Sequence, residues 1–307
     1  MTGLLPRLNR VLCPIDFSEA SRHAAEHAVA IAGWYRAQLT AFHVYTPIFM
    51  PVPGLPAPPD RVPEAELTRV RNDLTDFLQS MPAASAAIDV AVDVGQAAPR
   101  ILRRASTIPV DLIVMGTHGL SGFERMVLGS VTEKVLRKAS CPVLTVPPRV
   151  HATARFPFRR VLCAVDFSEW SSAALELAAS LAHESGASLD LVHVLEWPWD
   201  EPPPPALAEL PPEQAAALAE FRRYLVTTAT TRLESLVSPA IRDRCAVTVH
   251  IAHGKPYVQV LRMAAGTGAD LIVLGVHGRN PIDLAVFGST TSQVVRRATC
   301  PVLTLRR

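Results

Sequence analysis

Short, nearly continuous apolar runs alternate along the chain with longer segments whose apolar residues recur every three or four positions. The run Arg10–Asp16 predicts a strand covered on both faces, as in the middle of a parallel sheet. A helix is expected from about Ser18, with Ser18 as N-cap, Glu19 complementing the helix dipole, and Ala24, Ala28, Ile31 and Tyr35 facing the sheet. Leu39–Val44 predicts a second strand. A proline-rich connector, Pro47 to Pro63, then leads to a polar helix over Glu64–Gln79. Ile88–Val94 and Asp111–Met115 predict two further strands. Between them a short helix is expected to begin at Pro99, because proline suits a first helical position. A glycine-rich stretch, a helix from Ser130 and a terminal strand Val143–Val146 follow. Strand and helix alternate throughout, which predicts an α/β fold with a doubly wound parallel sheet.

The whole order then repeats. Arg10-Val11-Leu12-Cys13-Pro14-Ile15-Asp16-Phe17-Ser18-Glu19 returns 150 residues later as Arg160-Val161-Leu162-Cys163-Ala164-Val165-Asp166-Phe167-Ser168-Glu169. His43-Val44 returns as His193-Val194, and Gly116 as Gly275 after a gain of nine residues in the second copy's connector and long helix. A repeat of this length is a whole domain and not a solenoid unit. The expected domains are 1–148 and 158–307, joined by a linker over 149–157. The terminal strands, Val143–Val146 and Val302–Leu305, would be open edges unless paired, so they are expected to meet and make the copies a pseudo-dimer.

Bulk properties narrow the function. The 307 residues carry a net charge of only +2, too small to imply a nucleic-acid partner by itself, and no apolar run is long enough to span a bilayer. The first residues lack the apolar stretch of a secretory signal. The five cysteines show no CxxC spacing and read as reduced thiols of a cytoplasmic protein.

The candidate chemistry lies in two matching glycine arrangements. Gly116-Thr117-His118-Gly119 is followed by nine residues and then Gly129-Ser130; Gly275-Val276-His277-Gly278 is followed by nine residues and then Gly288-Ser289. Each sits between an apolar strand and the start of a helix. Glycine lets the backbone approach an anion closely, and the first N–H groups of a helix point toward it unsatisfied. Ligands of doubly wound sheets bind beyond the carboxyl ends of the strands. Asp16, Val44 and Gly116 all fall at such ends, so one crevice can collect them. A carboxylate there can accept from ribose hydroxyls, and a valine can wall a purine.

With these motifs the chain resembles the universal stress proteins, in their tandem two-domain form. Both copies match the Gly-x-x-Gly-x9-Gly-Ser/Thr pattern of that family's ATP-binding branch. The resemblance implies Rossmann-like domains, of the adenine nucleotide alpha hydrolase type, that bind ATP, with Mg or Mn as an accompanying option. It implies that Asp16 and Asp166 contact the adenosine, that Val44 and Val194 line the adenine, and that Gly116, Gly119, Gly129 and Ser130, like Gly275, Gly278, Gly288 and Ser289, surround the phosphates. The implied partner is an adenine nucleotide and not a nucleic acid or a membrane; a further homodimer stays open. The implied role is stress-response signalling.

Other chemistries lack their motifs. Gly254-Lys255-Pro256 is not a P-loop, no GxGxxG follows the first strand, and neither HExxH nor GxSxG occurs. His23 and His27 are spaced i, i+4 without an evident third ligand. No catalytic residue is assigned. Three readings remain: a nucleotide-binding signalling module, favoured by the absent enzyme motifs; a slow ATPase or phosphotransferase using the same cleft; and a partner-binding protein with empty pockets. His118 and His277 are candidates for either a phosphate contact or a loop-shaping hydrogen bond. The connectors Pro47–Pro63 and Pro198–Pro212 are expected to be mobile when the pockets are empty and are candidates for lids.

Overall fold

The computed structural model describes residues 8–47, 62–81, 88–118, 128–148, 157–196, 210–276 and 288–306. Gly119, His277 and Gly278, both nine-residue spacers except Leu128, nearly all of both connectors and most of the linker lie outside the described residues.

The chain divides into two compact units: Met1–Pro157 with Thr299–Arg307, and Phe158–Ala298. The first holds β1 (Arg10–Pro14), α1 (Glu19–Tyr35), β2 (Gln38–Tyr45), α2 (Glu64–Gln79), β3 (Ile88–Val94), α3 (Ala97–Thr107), β4 (Leu112–Gly116), α4 (Ser130–Lys138) and β5 (Val143–Val146). The second holds β6 (Arg160–Ala164), α5 (Glu169–Ser185), β7 (Ser188–Leu195), α6 (Pro212–Leu236), α7 (Pro239–Arg242), β8 (Val247–His253), α8 (Pro256–Thr267), β9 (Leu271–Gly275) and α9 (Ser289–Arg297). The last strand, β10 (Val302–Leu305), belongs to the first unit.

In the first unit the strands run in the order β3-β2-β1-β4-β5-β10, and in the second β9-β6-β7-β8. All pairs among β1 to β5, and among β6 to β9, are parallel. The order reverses between β1 and β4, and between β6 and β9, because β1 and β6 each pair with strands on either side. The central strands are buried on both faces: Val11, Leu12, Cys13, Ile113, Val114, Val161, Leu162 and Cys163 are each no more than 1% exposed. Burial pushes the thiols of Cys13 and Cys163 up to about 12, which makes them inert core residues.

Local chemistry explains the element ends. Ser18 and Ser168 cap α1 and α5, each side chain accepting from the N–H three residues on, as expected for Ser18. Ala24, Ala28 and Ile31 are buried against the sheet, whereas Tyr35 is half-buried. Pro99 does not open its helix: α3 begins two residues earlier at Ala97, and the proline occupies the first turn, where its missing N–H has no intrahelical partner to lose. Pro256 does take the first position of α8. Asp111 stands before β4, not inside it, and its carboxylate accepts from the N–H groups of Asn9 and Arg10 at 2.7 and 2.9 Å. Asp270 does the same for Arg159 and Arg160. The second copy's extra length appears in α6, 25 residues against 16 for α2.

The terminal strands do pair. β10 runs antiparallel to β5, with Leu303 opposite Leu144, Val302 opposite Thr145 and Thr304 opposite Val143. Leu144 thus faces its own repeat equivalent, and each threonine hydroxyl donates to a carbonyl of the other strand, Thr145 to Val302 and Thr304 to Val143. The sequence repeat and the compact unit therefore part company at this one strand. No helix among the described residues is long and apolar enough to cross a membrane.

Candidate functional site

At the carboxyl end of each sheet, beside the reversal in strand order, lies a cavity. The first, of about 300 Å³, is lined by Asp16 after β1, Phe42, His43 and Val44 of β2, Gly116 ending β4, and Gly129 and Ser130 opening α4, with Ala97 and Ile101 of α3 on the flank. The second, of about 290 Å³, is lined by Asp166, His193, Val194, Gly275, Gly288 and Ser289, with Pro256 and Val260 of α8 on the flank. Ten of the twelve sequence-predicted residues thus converge, five in each cavity. Gly119 and Gly278 lie outside the described residues.

The two glycines of each described set act differently. A Cβ on Gly116 would lie 2.9 Å from the backbone carbon and oxygen of Ala20, so this position is held to glycine by the close approach of α1. Gly275 is pressed in the same way against Trp170 and Ser171 of α5, at 3.0–3.1 Å. Gly129 and Gly288 are the N-cap residues of α4 and α9, and neither helix has a side-chain cap hydrogen bond. Their own N–H groups go back to the loop, Gly129 to Thr117 O at 2.9 Å and Gly288 to Val276 O at 3.3 Å. The first intrahelical bonds reach them from Glu133 and Ser292, so the N–H groups of the preceding three residues have no intrahelical acceptor. An uncapped helix N-terminus at a cavity wall is a positively polarised anion site. Ser130 and Ser289 are exposed there and can add a hydroxyl.

Each aspartate is held in a tight local frame. Ser18 donates to Asp16 Oδ1 from its N–H at 3.1 Å and its hydroxyl at 2.5 Å; Ser168 repeats this on Asp166 at 3.0 and 2.6 Å. The following residues, Phe17 and Phe167, both adopt φ 65°, a left-handed conformation that is uncommon for a bulky side chain.

Two pairs of residues in the cavity walls have no role assigned from the sequence. Thr132 and Thr291 donate their hydroxyls to the carbonyls of Gly116 and Gly275, each at 2.9 Å, tying the first helical turn to the preceding strand end. His43 and His193 each place Nδ1 2.7 Å from a carbonyl, that of Ile15 or Val165. Burial lowers the affinity of His43 for a second proton, against a smaller opposing pull from the Ile15 carbonyl and Asp16. The signal for both pairs was present, since each recurs at the repeat offset. Their partners are distant in sequence, so their roles were not legible.

His118 also lines the first cavity. Its Nδ1 is 2.8 Å from the Thr117 hydroxyl, its Nε2 is buried without a hydrogen-bond partner among the described residues, and burial lowers its pKa. Its partner Thr117 fits a loop-shaping role, while the unpaired nitrogen fits a ligand. His23 and His27 do not converge: His27 turns inward, its Nδ1 2.9 Å from the backbone carbonyl of His23.

A sequence description of the universal stress protein family matches residues 7–147 and again 157–306. The chain belongs to the universal stress protein family. A universal stress protein of Mycolicibacterium smegmatis is 27% identical over 305 residues, covering 96% of each chain, so the tandem arrangement has a full-length counterpart. Single-domain relatives match about half of the chain. One from Methanocaldococcus jannaschii is 34% identical over 45% of this chain and 81% of its own length, and one from Bacillus subtilis is 33% identical over 45% and 98%. Among solved structures, a universal stress protein from Archaeoglobus fulgidus superimposes with a TM-score of 0.65 at 23% identity, covering 98% of this chain and 97% of the other. At that identity the likeness supports the fold, a pair of Rossmann-like domains of this family.

Proposed function

We propose that each unit binds an adenine nucleotide, ATP first among them, and that occupancy serves as a state signal in a cytoplasmic stress response. The observation that carries this reading is the duplicated convergence of a strand-end carboxylate, a strand-end valine and a glycine-capped helix N-terminus around one cavity. A carboxylate accepts from ribose hydroxyls, a valine and its neighbours give a purine an apolar wall, and unpaired N–H groups of α4 and α9 receive phosphate oxygens. The first cavity offers a partner for each part of such a ligand: Val44 for the base, Asp16 for the ribose, and Gly129 and Ser130 for the phosphates. Mg or Mn would share the phosphate charge with the helix dipole. Nucleotide binding acts as a signal only insofar as it favours one conformational state over another.

Purified protein tests this directly. Denaturation should release an adenine nucleotide identifiable by chromatography, and titration of stripped protein with ATP should approach two sites per chain. Absence of released nucleotide together with no heat on titration with ATP, ADP or AMP would remove the reading. ATP turnover far above background, lost on replacing Gly129, would move it to the ATPase class.

A further inference from the structure

Around each aspartate, three features of the fold act on one short loop. The ladder between β1 and β2 ends with Ile15 N–H donating to Phe42 O at 2.9 Å; Val165 and Val192 repeat this at the same distance. The next acceptor on that loop, the carbonyl of Ile15 or Val165, is met by an imidazole at 2.7 Å. A carbonyl only accepts, so Nδ1 of His43 and of His193 carries the proton. The ring then packs against the left-handed phenylalanine, His43 on Phe17 with centroids 4.7 Å apart and His193 on Phe167 at 4.3 Å. The aspartate between carbonyl and phenylalanine is thereby held from both sides, and its Oδ1 is fixed by the serine beyond.

The phenylalanine is backed differently in the two units. Phe77 of α2 meets Phe17 edge-on at 5.6 Å, whereas the guanidinium of Arg232 lies 4.3 Å over Phe167. The backing has diverged, yet the histidine, its hydrogen bond, the φ of 65° and the serine bonds recur in both. Constancy of these four against a changing background points to the aspartate between them as the object being held.

We propose that His43 and His193 are positioning residues that aim Asp16 and Asp166 at the ligand's ribose. This rests on the nucleotide reading above and adds to it the origin of ribose selectivity. The histidine does not itself supply the contact; it fixes the carbonyl next to the aspartate, and its tilted ring, packed against the phenylalanine, stabilises the left-handed turn after it.

The test uses the full chain with both histidines replaced together, His43→Leu with His193→Leu, and separately both by Asn, whose side-chain N–H can take the place of Nδ1–H. The probes are ATP and 2′,3′-dideoxy-ATP, which lacks both ribose hydroxyls. Hydrogen bonds to a charged group make a preference for ATP of about tenfold or more expected in the wild-type chain. The Leu pair should lower ATP affinity toward that of the dideoxy analogue without changing the latter, and the Asn pair should restore part of the preference. In an Asp16→Ala, Asp166→Ala background the Leu pair should have no further effect on ATP. A Leu pair that keeps the wild-type preference, or that weakens both probes in parallel, overturns the proposal while leaving nucleotide binding intact. A wild-type chain that binds ATP without any preference overturns the ribose reading itself, a distinguishable result. Nitrogen-15 NMR of the imidazoles gives a measurement independent of ligand and variant: the Nδ1–H tautomer is expected for both, and the Nε2–H tautomer overturns the proposal.

Discussion

The two cavities share their frame and differ in their walls. Asp16 and Asp166, His43 and His193, Gly129 and Gly288, and Thr132 and Thr291 hold equivalent places with nearly equal distances. Around them Pro14 gives way to Ala164, Phe42 to Val192, Ile101 to Val260 and Met115 to Leu274. The second wall also gains Glu196, where the first unit has Thr46 turned to the carbonyl of Gly95. Residues that fix backbone geometry have been kept, and residues that only line the wall have drifted while staying apolar, with a loss of volume from Phe42 to Val192. An apolar wall accepts exchange among apolar side chains, whereas a hydrogen bond to a particular carbonyl, or a backbone contact that excludes a Cβ, has no close substitute.

The largest expected effect comes from placing a carboxylate at a helix cap. Gly129→Glu and Gly288→Glu each set a negative charge beside the proposed phosphates. At about 4 Å and an effective dielectric near 20 this costs about 4 kcal/mol before screening, several orders of magnitude in affinity at that site. Calorimetric stoichiometry should fall from two to one for either variant and to zero for both. The comparison sharpens in stability. A Cβ at 129 would meet Thr117 O at 3.3 Å, but one at 288 would meet Val276 O at 2.9 Å. The second variant should therefore melt lower than the first. The sequence alone suggests a solvent-facing pocket mouth where the fold survives in both; the backbone contact makes the two unequal. Unchanged ATP affinity in the folded double variant would sink the phosphate assignment.

Gly116→Ala and Gly275→Ala come next. The added methyl meets backbone of α1 or α5 at 2.9–3.0 Å, and overpacking of this kind costs about 1–3 kcal/mol. Denaturant unfolding should show a loss in both variants. Equal ATP affinity in a folded Gly116→Ala chain would assign this glycine to packing alone, and a large loss would return it to the ligand.

Ser18→Ala and Ser168→Ala should each cost about 1 kcal/mol, because each removes a helix cap. The two losses should match, since the caps are alike, and chemical denaturation would detect a mismatch. The smallest effect concerns the walls: Glu196→Thr should strengthen, and Thr46→Glu weaken, nucleotide binding in their own units by a few fold. Both positions are exposed, so salt should erase the difference. A salt-independent change would mean that Glu196 contacts the ligand directly.

The sequence by itself determined the order of strands and helices, the duplication, the serine caps and the meeting of aspartate, valine and glycine-capped helix at one end of the sheet. These are readable because strand and helix carry different apolar periods and because parallel strands bring their carboxyl ends together. Even there, Pro99 misled by two residues, since proline is tolerated anywhere in a first helical turn. Only the tertiary structure decided why Gly116 must be glycine, which carbonyl His43 would meet, where the Thr132 hydroxyl would go, and that β10 groups with the first compact unit and not with its own repeat. Each of these joins residues between 16 and about 160 positions apart. Such contacts are set by how elements pack in space, and no periodicity along the chain records them.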